Sequence, residues 1–81
     1  MNPLPHLRKT FSIGANVIVS AGGGWQRDAR GVVVAGPEPV TTVQGEDYYW
    51  WVEFVRPEKD AEDDGPYNMA KILSRYISHA T

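Results

Sequence analysis

Hydrophobic positions recur with period two most clearly over residues 47–55, Asp-Tyr-Tyr-Trp-Trp-Val-Glu-Phe-Val. The run is aromatic and β-branched and holds no Gly or Pro, which predicts a strand. Alternation puts Tyr48, Trp50, Val52 and Phe54 on one face and Tyr49, Trp51, Glu53 and Val55 on the other. Only the second face carries a charge, so the first is expected in the core. Tyr49 and Trp51 are then left facing outward.

The same reading extends along the chain. Residues 15–20 predict a first strand with Val17 and Val19 on one face, after a turn at Gly14. Ala21-Gly22-Gly23-Gly24 predicts a flexible loop, with Trp25 at its end. Residues 31–35 form a second strand, which Gly36-Pro37-Glu38-Pro39 is expected to end because proline gives no ladder donor. Residues 40–43 pair briefly as a third, with Gly45 at the turn. The aromatic strand follows and stops at Arg56-Pro57. A last short strand over 68–71 precedes a turn of helix over 72–76. The fold class expected is all-β: a small antiparallel barrel of about five strands with a short C-terminal helical turn. Residues 1–10, with Pro3 and Pro5 and no period, are expected to form a flexible arm, and residues 11–78 the barrel domain.

Composition narrows this picture. With 81 residues the chain is one domain, and at that size folding buries only ~60–65% of the unfolded surface. Cysteine is absent, which removes disulfides, thiolate metal sites and thiol nucleophiles, and fits the cytoplasm. No apolar leader is evident near the N-terminus, and no apolar run approaches the ~20 residues of a membrane helix. The net charge of −2 is uneven: residues 58–64 hold five acids and one lysine. Nothing resembles the Lys/Arg stripe that nucleic-acid backbones require, so no nucleic acid or membrane partner is expected.

Candidate chemistry is sparse. Asp60, Glu62 and Asp64 occupy positions one, three and five of a loop with Gly65 at six, the beginning of a calcium-loop spacing. Position twelve is Lys71, where a bidentate Glu is needed, and an acidic solvated loop explains the same residues. The three-glycine run lacks the Lys-Ser/Thr ending of a phosphate loop. His6 and His79 lie near the termini without a serine or second histidine at a ligand spacing; His79 is placed beside a helix C-terminus. Glu53 is an exposed strand carboxylate unless Tyr49 and Trp51 desolvate it. No catalytic residue and no cofactor is assigned.

Phe11-Ser12-Ile13-Gly14-Ala15-Asn16-Val17, then Gly23-Gly24-Trp25-Gln26 and Gly31-Val32-Val33, resemble the SH3-like barrels. The pattern is most similar to plasmid-encoded type II dihydrofolate reductases, which share a Phe-x-x-Gly-x-x-Val start and a Trp-Gln pair after a small-residue loop. It also looks like the electron-transport accessory barrels: the small accessory protein of photosystem I, the ferredoxin–thioredoxin reductase variable chain and the nitrile hydratase β tail. The resemblance covers the first half of the chain and, more loosely, residues 67–73. Where the reductases carry a Val-Gln-Ile-Tyr segment, this chain has Gly65-Pro66-Tyr67-Asn68, and only the tyrosine corresponds. A matching lysine near the second strand is absent. The resemblance thus implies a fold and not reductase activity.

Two functions follow as expectations. One is a non-catalytic binding or accessory module that presents Trp25, Tyr49, Trp51 and Tyr67 to a protein partner or to a second copy of the chain. The alternatives for that aromatic face are an oligomer seam or a small second core beneath the N-terminal arm. The other function is an oligomeric enzyme of the type II reductase kind, with a nicotinamide cofactor in a symmetric pore.

Overall fold

The computed structural model describes residues 9–80. Five strands follow in chain order: β1 (Asn16–Val19), β2 (Ala29–Thr42), β3 (Gly45–Glu58), β4 (Tyr67–Leu73) and β5 (Ile77–His79). All pair antiparallel, in the spatial order β4-β3-β2-β1-β5. One 3-10 turn, Ala21–Gly23, follows β1, and another, Ser74–Tyr76, joins the outermost strands β4 and β5. This is the predicted class: all-β, a small five-stranded antiparallel barrel with a short helical turn near its end. Among the described residues no helix is long and apolar enough to cross a membrane.

Period two decides what is buried. Trp50, Val52 and Phe54 of β3 are buried, as are Val17 and Val19 of β1, Ala29 and Val33 of β2, Ile72 of β4 and Ile77 of β5. Phe11 closes the core, its ring edge-on to Trp50 at 5.6 Å. Tyr48, expected inside with them, packs half-buried at the rim of this cluster. Burying these side chains supplies most of the driving force, on the order of 1.5–3 kcal/mol for each large one.

Several boundaries differ from expectation. Gly36-Pro37-Glu38-Pro39 does not end the second strand; β2 runs through it and takes in the expected third strand. Register shifts between Val33/Ala35 and Ala35/Glu38 interrupt the ladder, the second taking in Pro37, after which Glu38 pairs with Tyr49 and Pro39 with Tyr48. Gly36 makes this crossing possible. Its φ is +123°, and a Cβ there would stand 2.8 Å from the Trp50 ring. Thr42 pairs with Gly45 across a two-residue hairpin turn, Val43 and Gln44. The Thr42 hydroxyl donates to the Gly45 carbonyl at 2.7 Å.

β3 likewise passes Pro57 through a register shift between Glu53 and Glu58. β4 reaches Leu73, so the helical turn starts at Ser74 rather than at Ile72, and β5 has no counterpart among the expected strands. The glycine segment is not a free loop. The Ser20 hydroxyl accepts from the Gly22 N–H at 3.1 Å, the Asp28 carboxylate accepts from the Ala21 N–H at 2.8 Å, and Gly24 closes the turn at φ +102°.

Residues 1–8 of the expected arm lie outside the described residues. Lys9, also assigned to the arm, is tied down. Its N–H donates to the Ser74 hydroxyl at 3.1 Å, its ammonium to the Ile77 carbonyl at 3.1 Å, and its carbonyl accepts from the Trp50 indole at 3.3 Å.

Candidate functional site

The outer face of β3 makes one wall of a groove. In the β3–β4 ladder Tyr49 lies opposite Leu73 and Trp51 opposite Lys71. Directly opposed residues of an antiparallel pair share a face, so these four side chains form a continuous shelf. Gly23, Gly24 and Trp25 rise on the other side, with Tyr76 below them and Tyr67 and Met69 at the far end. The groove is open to solvent and holds about 530 Å³. All four sequence-derived candidates, Trp25, Tyr49, Trp51 and Tyr67, line it.

Each wall has a local cause. Trp25 is held where its ring meets Phe54 edge-on at 4.9 Å and Tyr67 at 5.9 Å. Its backbone N–H reaches the Ala21 carbonyl at 3.0 Å, which closes the 3-10 turn, and Trp25 also bridges to Asp60 of the acidic loop. Gly23 lets the turn rest on Tyr76: a Cβ would come 3.1 Å from that side chain. Trp25 is thus part groove and part core lid, a dual role that outward exposure alone does not describe.

The shelf also carries a charge pair. Glu38, brought opposite Tyr49 by the bulges in β2, accepts from the Trp51 indole N–H at 3.1 Å and from the Lys71 ammonium at 3.4 Å. Lys71 lies over the Tyr49 ring at 4.9 Å and 6.0 Å from that of Trp51. An ammonium in that position is attracted by the negative face of the ring. The pair is half-exposed, so it fixes the orientation of Trp51 more than it stabilises the fold.

The acidic loop uses its first carboxylate on itself. Asp60 Oδ1 accepts the N–H groups of Glu62 at 3.0 Å and Asp64 at 2.9 Å. Asp63 pairs with Lys59 at 3.4 Å and accepts from the Gln26 amide at 3.0 Å. Among the described residues no group of three or more acidic or histidine side chains converges as a metal site. Glu53 is exposed on the outer face. His79 lies in β5, not beside a helix C-terminus, and its ring packs on Phe11 at 4.8 Å. His6 lies outside the described residues.

One polar cluster has no forerunner in the sequence pattern. By alternation Asp47 belongs to the outer face, yet its side chain is fully buried, because Ser74–Tyr76 folds across that end of β3. Its Oδ1 accepts a very short hydrogen bond from the Ser74 hydroxyl and one from the Tyr48 N–H at 2.7 Å; Oδ2 accepts from Arg75 Nε at 2.9 Å. Arg75 extends on to Thr42 at 2.7 Å. Burial pushes the carboxyl pKa up. The Ser74 hydroxyl, Arg75 and the Tyr48 N–H together outweigh that and hold it below its ordinary value. Glu58, also buried, pairs with Arg27 at 3.0 Å. Both are structural pairs, and none of their side chains lines the groove. The one clue in sequence is an acid opening an aromatic strand.

The four candidates therefore converge, and the acidic triplet does not. No protein-family model matches the chain, and comparisons with curated proteins and with solved structures give no match.

Proposed function

We propose that this chain is a small non-catalytic binding module, whose groove takes up an extended segment of a protein partner or of a second copy. The observation that carries this reading is the convergence of Trp25, Tyr49, Trp51 and Tyr67 on one groove. Aromatic side chains offer large contact areas at low entropic cost and dominate binding energies at protein interfaces. The groove is apolar enough to bind and polar enough, through Lys71 and Asp60, to orient what it binds. The cysteine-free composition fits work in the cytoplasm.

Trp51→Ala tests the proposal. The side chain lies at the middle of the shelf and outside the core, so the fold should persist. Loss of an anchor of this type typically costs about 2 kcal/mol or more of binding, roughly a thirtyfold drop. The measurements are solution mass by light scattering and capture of partners on immobilised protein, wild type beside variant. If both are unchanged while the β-sheet spectrum is intact, the groove is not the binding face.

A further inference from the structure

Positive charge on this protein is almost all paired, and the part that is not gathers at one place. Among the described residues Arg27 pairs with Glu58, Lys59 with Asp63, Lys71 with Glu38 and Arg75 with Asp47, while the Lys9 ammonium donates to the Ile77 carbonyl. Of the described lysines and arginines, only Arg30 and Arg56 have a side chain without an ion pair or hydrogen bond. Both line one open depression of about 260 Å³, together with Arg27, Asp28, Val55 and Glu58. None of these six residues lines the aromatic groove.

The strands explain the gathering. Gly31 of β2 lies opposite Phe54 of β3, so the next residues out, Arg30 and Val55, stand together on the outer face of the sheet, and Arg56 follows Val55. Glu58, itself buried, accepts from Arg27 Nε at 3.0 Å. That contact fixes the Arg27 guanidinium and leaves its two terminal nitrogens without a partner among the described residues. Asp28 is the other acid of the lining, and its Oδ1 accepts from the Ala21 N–H at 2.8 Å. A second depression, of about 280 Å³, adjoins the first through Arg30 and Val55 and is walled by Asn16, Gly31 and Ala80.

We infer that the two depressions form one site for a small phosphate monoester. The phosphate sits between Arg27, Arg30 and Arg56, and the organic part lies over Val55 towards Asn16 and Ala80. Planar guanidinium groups match phosphate oxygens two at a time. A monoester carries about −2 at neutral pH, which balances two unpaired guanidiniums. A nucleic-acid strand carries one charge per phosphate and needs a row of cations along its length. The described surface holds no further unpaired lysine or arginine to supply one.

Calorimetric titration of the full chain with phenyl phosphate, and with phenyl sulfate as its singly charged isostere, is the test. Phenyl phosphate should bind about tenfold tighter than phenyl sulfate. Inorganic phosphate should bind more weakly than phenyl phosphate, because it leaves the second depression empty. Arg30→Gln and Arg56→Gln should each lower the affinity for phenyl phosphate about tenfold. Neither side chain has a partner to lose, so the β-sheet spectrum should stay as in the wild type. Asp28→Asn keeps an acceptor for the Ala21 N–H and removes a negative charge from the wall, so affinity should rise about threefold. Trp51→Ala should leave phosphate binding unchanged, so this site and the groove stand or fall separately.

Equal affinity for phenyl phosphate and phenyl sulfate overturns the inference. So does affinity that neither arginine variant moves, or no binding at millimolar phenyl phosphate. An oligothymidine strand that binds tighter than phenyl phosphate, and is lost in the same arginine variants, overturns it in favour of nucleic acid.

Discussion

Two carboxylates of this protein each bridge a base and a second donor, and they stand in opposite environments. Asp47 joins Ser74 and Arg75 in a site from which water is excluded; Glu38 joins Trp51 and Lys71 on a half-exposed shelf. Asp47 also accepts from the Tyr48 N–H, and its contacts are the shorter ones: 2.7 and 2.9 Å from Tyr48 and Arg75, against 3.1 and 3.4 Å at Glu38. What differs most is what each carboxylate would lose if its partners left. A buried carboxylate without partners has no water to fall back on, whereas an exposed one is rehydrated at once. The same constellation therefore locks the barrel in one place and merely orients a side chain in the other. The lock fastens Ser74–Tyr76 onto β3, and so fixes the last strand and the floor of the groove.

The comparison is broken most directly at the buried end. Arg75→Ala strands the Asp47 carboxylate, and loss of one partner of a buried pair typically costs about 3–5 kcal/mol. For an 81-residue domain that is a large share of total stability, so the denaturant midpoint should fall sharply. Wild-type stability retained within about 1 kcal/mol would mean that water reaches Asp47 after all.

Acid provides the next largest effect. The Asp47 carboxyl is held below its ordinary range in the folded state. Its contribution is fully present above the unfolded value of about 3.9 and is lost as pH falls through the lower folded value. Stability measured by urea unfolding from pH 6 downward should decline there, and Asp47→Asn should flatten part of that decline. An unchanged slope in the variant would place the acid sensitivity elsewhere.

The smallest effect is expected at the exposed end. Glu38→Gln keeps the contact to the Trp51 indole and removes the charge facing Lys71, so stability should change by less than about 1 kcal/mol. The readout is instead local: the Trp51 indole N–H resonance should move while those of Trp25 and Trp50 stay. Destabilisation comparable to Arg75→Ala would erase the distinction between the two sites.

How much of this is legible in the chain depends on whether the signal is local. The alternation of Trp50, Val52 and Phe54 against Tyr49 and Trp51 is a property of neighbours along the backbone, and it marks both the core face and the groove face. Val17 and Val19 are readable for the same reason. The passage of β2 through Pro37 and Pro39 is not readable, because a register shift takes Pro37 out of the ladder while Pro39 keeps its place opposite Tyr48, and such a shift depends on the partner strand. Three residues, Ile77-Ser78-His79, are too few to show a period, so β5 emerges only from its pairing with β1. The Asp47 cluster gathers residues 42, 47, 74 and 75, which no spacing rule brings together. Convergence of Trp25 and Tyr67 on the Tyr49–Trp51 shelf follows from a shared surface, but their mutual packing has no signal along the chain.

The ladder between β1 and β5 sets Val17 against His79 and Val19 against Ile77. Beside it, Lys9 is fastened to Ser74 and Ile77. The first and last parts of the described chain are thus stitched to one another, and nearly the whole polypeptide must be in place before the sheet is complete. Closing so long a loop carries an entropic cost that short-range pairing such as the β2–β3 hairpin avoids. The hairpin draws its first pairs from across a two-residue turn, whereas the seam between the two ends has to span almost the whole described chain.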